Sequence, residues 1–235
     1  MRATRTTTAE RAGNRSGVTE LLLRSVPLFA MLTPEQRAIL APAVRRLTCR
    51  KGETIIHAGE PTQSLFVILS GRVGVSVTGA RGKQVILAIL RPGEHFGEMS
   101  LIDDEPRSAD VVARGPCELL VLDRPAFLRC LEANFDLTMD ITRSLVQRLR
   151  DADNRIGNLA LLDVYGRVAQ LLLREAELVD GVKMLPGTLS RIDIAKMTGA
   201  SREMVTRVLR DLHLRGCIEL RGTTIILHAT IAGPR

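Results

Sequence analysis

The sequence predicts an α+β chain in which a β-barrel or sandwich is followed by a long helix and then a winged helix-turn-helix. Three observations predict it. Short β-type runs punctuated by glycine fill roughly residues 48–122, a proline-free stretch with heptad-spaced apolar residues follows, and two capped helices around a glycine turn precede a hairpin near the end. Strand–helix alternation is absent, so a doubly wound parallel sheet is not expected.

The chain has 235 residues, enough for one large or two small domains with a buried core. Its first 25 residues are polar and carry five Arg against two Glu, which predicts a basic flexible tail rather than a secretory signal. No apolar run approaches the roughly 18 residues that cross a bilayer, so a cytoplasmic protein is expected. The net charge of +7 is uneven. Residues 26–164 hold 17 bases and 17 acids, whereas residues 165–235 hold 11 bases against seven acids. A neutral centre with a basic C-terminal end suits a polyanionic partner there. With one Tyr, five Phe and no Trp there is no aromatic platform for unpaired bases, which favours duplex DNA over RNA or single strands. The four cysteines and four histidines are scattered, without C-x-x-C or ligand-cluster spacing, so no metal site is expected. Nor is there a nucleophile–base–orienter set, and the chain is not expected to be an enzyme.

Helical signals open the folded part. "TPEQRAILAPAV" offers Thr33 as N-cap, Pro34 in the first turn and Gln36 as capping-box partner. The runs "ETIIHAGE", "SLFVILSGRVGVSV", "KQVILAIL" and "CELLVL" are the strands, separated by Gly59, Gly71, Gly79, Gly82 and Gly93. Helix returns near Arg124. Between Asn134 and Leu162 there is no Pro, and Leu145, Leu149, Ala152, Ile156 and Leu159 follow the 4-3-4-3 spacing of a two-stranded coiled coil. The alternative is that this stripe packs on its own barrel, but a strict 3.5 repeat is narrower than such a face usually shows.

After a helix through "VYGRVAQLLLREAEL" and a loop at "VDGVKMLPGT", Ser190 with Asp193 forms a capping box for a short helix. Gly199 supplies the turn and Ser201 caps a second helix, on which Val205, Leu209 and Leu212 face inward. "CIELRGTTIILH" then reads as a hairpin turning at Arg221-Gly222. A second helix with Arg and Glu in its first turns is suited to a major groove. Arg can bond guanine O6 and N7 together, and Glu can accept from a cytosine amino group. Arg202, Glu203, Thr206 and Arg207 are the candidate readers on the face opposite the apolar stripe. Ser190, Arg191 and Ser201 stand at helix starts, where hydroxyls and backbone N–H groups hold phosphates.

The segments "FGEMSLIDDEPRSADVVA", "RIGNLALLDVYGRVAQLLL" and "LSRIDIAKMTGASREMVTRVL" resemble the cyclic AMP receptor protein/FNR family of bacterial transcription regulators. The resemblance spans roughly residues 26–228 and implies a jelly-roll β-barrel for cyclic nucleotides over 26–133. It further implies a dimerisation helix over 134–162, and a winged helix-turn-helix over 163–235 that binds a palindromic operator as a homodimer. It also implies that "FGE…RSA" is a phosphate-binding cassette. Arg107 would clamp the cyclic phosphate bidentately, Ser108 would add a donor, Glu98 would accept from the ribose 2′-OH, and Gly97 would let backbone amides approach. Met99, Ser100 and Ala109 complete the cassette, and Arg148 matches a family position near the ligand.

Two departures bear on the expected effector. Where cyclic AMP receptors carry a Thr-Ser pair that contacts adenine, this chain has Ala152 and Asp153. A carboxylate can accept from guanine N1–H and N2–H, or from the adenine amino group. Cyclic AMP is the family default, Asp153 leans slightly toward cyclic GMP or cyclic di-GMP, and Asp153 can equally be a solvated residue. The loop Leu178 to Gly187, where cyclic AMP receptors meet RNA polymerase, does not match, which leaves activation through polymerase and repression both open. The competing functional class is a cyclic-nucleotide module that acts through a protein partner instead of DNA.

Overall fold

The computed structural model describes residues 22–24, 26–30, 32–61, 64–185 and 189–228. The basic tail expected over residues 1–25 lies almost wholly outside the described residues. The chain divides into two compact units, one of residues up to 75 with 89–146, the other of residues 76–88 with 147 onward.

The first unit begins with α1 (Pro27–Ala30) and α2 (Pro34–Leu40), and a 3-10 turn, Ala41–Ala43. Thr33 and Gln36 form the expected capping box on α2. The helix is shorter than "TPEQRAILAPAV" suggested. Pro42 sits in the 3-10 turn, and Val44 already starts strand β1 (Val44–Cys49), opposite Leu122. The remaining strands are β2 (Thr54–Ile56), β3 (Ser64–Ser70), β4 (Val73–Thr78), β5 (Gln84–Leu90), β6 (His95–Phe96), β7 (Asp110–Ala113) and β8 (Cys117–Asp123). A four-residue helix, α3 (Met99–Ile102), lies between β6 and β7. The strands form two sheets, β1-β8-β3-β6 and β2-β7-β4-β5. β3 and β8 bury both faces, Leu65, Val67, Leu120 and Leu122 on one and Phe66, Ile68, Leu119 and Val121 on the other, which is why "SLFVILS" and "CELLVLD" read as continuous apolar runs.

One core gathers Leu65, Val67, Leu120 and Leu122 from these strands with Phe127 from α4 (Arg124–Ala133) and Leu137 and Ile141 from α5 (Phe135–Leu161). Asp123 starts α4 by accepting from the Ala126 N–H at 2.8 Å. At 27 residues, α5 runs about 40 Å.

In the second unit, Asp163 caps α6 (Val164–Glu175) by accepting from the Gly166 N–H. The stretch expected as a loop is a hairpin, β9 (Glu177–Val179) and β10 (Val182–Leu185). Asp180 and Gly181 both have positive φ, 49° and 78°, the two-residue turn that an Asp-Gly pair favours. Then come α7 (Arg191–Thr198), α8 (Arg202–Leu214), β11 (Ile218–Arg221) and β12 (Thr224–Leu227). Arg221 pairs with Thr224, so the wing turns at Gly222-Thr223, one residue later than expected. The sheet order is β11-β12-β10-β9, and its core joins Val168, Leu172, Ile194, Val205, Leu209, Leu212 and Ile225.

Candidate functional site

The cassette starts where β6 ends. Phe96 lies directly opposite Phe66 of β3, and the two rings stack with centroids 5.0 Å apart and planes 5° from parallel. That pairing fixes where the chain enters Gly97. Gly97 has φ +87°, a left-handed conformation, and a Cβ there would meet Arg107 Nη1 at 2.6 Å. Glycine is what lets the arginine lie against the backbone.

Arg107 is 4% exposed. Its Nη1 donates to the Gly97 carbonyl at 2.5 Å and to Ser100 Oγ at 2.7 Å, and its Nη2 donates to the Ser64 carbonyl at 2.6 Å. Burial pulls this guanidinium's pKa down and the neighbouring Glu98 carboxylate pushes it back up. Glu98 is itself 1% exposed. Two opposite charges are thus buried together, and the cation is aimed by three oxygens from three places in the chain. Asp104 faces Arg124 Nη2 at 3.3 Å, and Arg124 Nε also donates to the Leu101 carbonyl. Ala109 is buried, whereas Met99 and Ser108 are exposed.

On α5 the expected seam divides. Leu145 is partly buried against the core of the first unit, so the alternative of packing on the barrel holds for that residue. Leu149, Ile156 and Leu159 are 62%, 65% and 56% exposed, with Ala152 and Val146 also exposed. Arg148 is half-buried and Asp153 exposed on the same helix.

The helix pair follows its capping signals closely. Ser190 accepts from the Asp193 N–H while Asp193 accepts from the Ser190 N–H, completing the box on α7. Gly199 ends α7 with φ 70°. Ser201 accepts from the Met204 N–H at the start of α8. Val205, Leu209 and Leu212 are buried, while Arg202, Glu203, Arg207 and Arg210 are exposed and Thr206 is half-buried. Thr206 Oγ1 donates back to the Arg202 carbonyl. Its own backbone N–H and the Ser201 hydroxyl hold the Glu203 carboxyl below the usual carboxylate range, so it stays an anionic acceptor. Arg191 is exposed at the first position of α7. α8 therefore presents three guanidinium groups and one carboxylate along one open face.

Residues 46–134 match the cyclic nucleotide-binding domain, and residues 166–230 match the Crp-like helix-turn-helix domain. The cAMP-activated global transcriptional regulator CRP of Pasteurella multocida is 36% identical over 181 residues, which cover 75% of this chain and 87% of that protein. The chain belongs to the CRP/FNR family. A second CRP/FNR relative, the CRP-like cAMP-activated global transcriptional regulator of Mycobacterium tuberculosis, is 30% identical over 88% of this chain and 94% of its own length. Among solved CRP/FNR structures, the c-di-GMP responsive global regulator CLP of Xanthomonas campestris superposes with a TM-score of 0.67. It is 27% identical and aligns over 83% of this chain and 98% of that one. As a CRP/FNR member the chain is a cyclic-nucleotide-binding, DNA-binding transcription regulator.

Within this CRP/FNR frame, Gly97, Glu98, Ser100 and Arg107 are brought together in the first unit, and Arg202, Glu203, Thr206 and Arg207 on α8 in the second. The sequence reading missed Ser64. It contributes a backbone carbonyl, which leaves no mark on side-chain type, and only the Phe66–Phe96 pairing of β3 with β6 could have pointed to that strand. Among the described residues no helix is long and apolar enough to cross a membrane, and no group of three or more His, Cys, Asp or Glu could hold a metal ion.

Proposed function

We propose that this regulator is a homodimer whose operator binding is controlled by a cyclic mononucleotide seated on Arg107. The observation that carries the reading is the guanidinium itself, buried at 4% exposure and held by Gly97, Ser100 and Ser64 in a β-domain. A guanidinium fixed in direction beside Glu98 suits a single phosphodiester, which its planar fork can bond. A cyclic mononucleotide has one negative charge, whereas cyclic di-GMP has two, and Arg107 is the one base between Gly97 and Ala109. Glu98 is the acceptor for a ribose hydroxyl, Ser108 a further donor, and Ala109 leaves room for the ring. Met99 belongs to the cassette in this reading, and Arg148 keeps its family position as a candidate ligand residue. Asp153 supplies a carboxylate for a purine N–H, so cyclic GMP stands beside cyclic AMP as a candidate.

Leu149, Ala152, Ile156 and Leu159 of two copies form the dimer seam, with Leu145 at its edge. Arg202, Glu203, Thr206 and Arg207 read base edges in successive major grooves of a palindromic operator, and Ser190, Arg191 and Ser201 hold phosphates. The ligand shifts operator affinity by its differential affinity for two dimer states, so DNA strengthens ligand binding by the same factor. This activity belongs in the cytoplasm. Contact with RNA polymerase would make the regulator an activator, and occlusion of a promoter would make it a repressor.

Calorimetry of the full chain against cyclic AMP, cyclic GMP and cyclic di-GMP tests the reading. One cyclic mononucleotide should bind, and Arg107→Ala should abolish that binding while the protein still melts cooperatively. Binding of cyclic di-GMP alone, or unchanged affinity in Arg107→Ala, would overturn it.

A further inference from the structure

The hairpin of β4 and β5 does something that neither strand pattern nor cassette explains. Its outer part, residues 76–88, belongs to the same compact unit as the DNA-binding helices. Gln84 links the hairpin to α7. Gln84 Nε2 donates to Ser76 Oγ at 3.0 Å across the hairpin, and Ser76 is only 3% exposed. Gln84 Oε1 accepts from Lys196 Nζ of α7 at 2.7 Å. Because an ammonium can only donate, the Lys196 contact sets which way the Gln84 amide points, and Ser76 takes the other end.

Lys196 is placed to do something else. Ile194 and Thr198 of α7 are buried at 1% and 4% exposure, and Lys196 falls on the other side of the helix, one turn from the exposed Ile192. In a helix-turn-helix the first helix crosses the DNA backbone while the second enters the groove. An outward lysine on that first helix is a phosphate contact, and Gln84 occupies it with a neutral oxygen.

We infer that Lys196 is a phosphate-binding residue of the DNA interface and that Gln84 masks it, so that the β4–β5 hairpin and duplex DNA compete for one ammonium. The inference rests on the DNA-binding reading but is independent of which nucleotide binds. Releasing Lys196 adds one phosphate contact, which strengthens binding to any sequence and steepens its salt dependence.

The test measures binding of the full chain to a random-sequence DNA duplex by fluorescence anisotropy over a range of salt. Gln84→Leu should bind about two- to fivefold tighter at low salt, with the log–log salt slope steeper by about 0.9. Lys196→Gln should bind no tighter than the unaltered chain, and the double variant should match Lys196→Gln. Gln84→Ala, which forces no new bulk beside Ser76, should repeat the Gln84→Leu result, and melting curves check that each variant is folded. Unchanged affinity and slope in both Gln84 variants would overturn the inference, as would an equal gain from Gln84→Leu in the Lys196→Gln background. If the unaltered chain shows no salt-dependent binding at all, the DNA-binding reading falls with it, a distinct outcome.

Discussion

A Cβ atom on Gly97 would lie 2.6 Å from Arg107 Nη1 and 3.0 Å from the Ser64 carbonyl oxygen. The same two groups are hydrogen-bonded to each other through Nη2 of that arginine, so backbone, guanidinium and β3 occupy one tightly filled corner. A nucleotide phosphate would meet an arginine whose direction is already set and would compete with these oxygens for its N–H donors.

Gly97→Ala should therefore damage both fold and site. The substitution puts an L side chain at φ +87° and drives it into Arg107. Left-handed strain in a non-glycine residue costs about 1–3 kcal/mol, and displacing the guanidinium adds to that. We expect a lower melting temperature and at least about a tenfold loss of cyclic-nucleotide affinity by calorimetry. Wild-type affinity in a folded Gly97→Ala protein would show that the close approach is dispensable.

Ser100→Ala isolates the aiming of the arginine from its charge. Ser100 Oγ is one of three oxygens holding Arg107, at 2.7 Å, and its residue is buried. A hydrogen bond to a charged group is worth about 1.5–3 kcal/mol, part of which Gly97 and Ser64 retain. Nucleotide affinity should fall about tenfold in calorimetry, with a smaller change in melting temperature.

Much of this was legible in the chain, and the failures have physical reasons. Capping chemistry is local, so Thr33, Ser190 and Ser201 could be assigned from three or four neighbouring residues, and each makes the expected bond. The inward positions Val205, Leu209 and Leu212 followed from helical period alone, and all are buried. β1 was missed because "VRRLTC" has polar residues on an edge strand, whose pairing with β8 is a long-range fact. The β9–β10 hairpin was not legible because its strands, three and four residues long, are too short to show a two-residue period. In the site, Gly97, Ser100 and Arg107 were legible and Ser64 was not, since it contributes a backbone carbonyl from a distant strand.

The exposed stripe on α5 leads to a prediction about assembly. Leu149 and Ile156 are one heptad apart and 62% and 65% exposed, which is costly for a helix that faces only water. Ile156→Glu places a charge in the proposed seam of two copies, at a position that is 65% exposed in the single chain. It should convert the proposed dimer to a monomer in sedimentation-velocity runs, with the melting transition of the β-domain retained. A dimer that survives Ile156→Glu and Leu149→Glu together would locate the interface elsewhere.

Arg202 and Arg207 should separate by what they read. Both are exposed on α8, and Arg202 is its first residue, capped by Ser201. A guanidinium bonding guanine O6 and N7 contributes about 1–3 kcal/mol of discrimination at one base pair. Arg202→Ala should therefore relax preference at a single position in each operator half-site, measured by selecting binding sites from a randomised duplex library. Binding to random-sequence DNA should stay nearly unchanged. A phosphate contact behaves differently: its loss weakens all sequences alike and flattens the salt slope by about 0.9. Should Arg202→Ala lower affinity uniformly with no change in the selected sequences, Arg202 holds the backbone and the reading of guanine passes to Arg207.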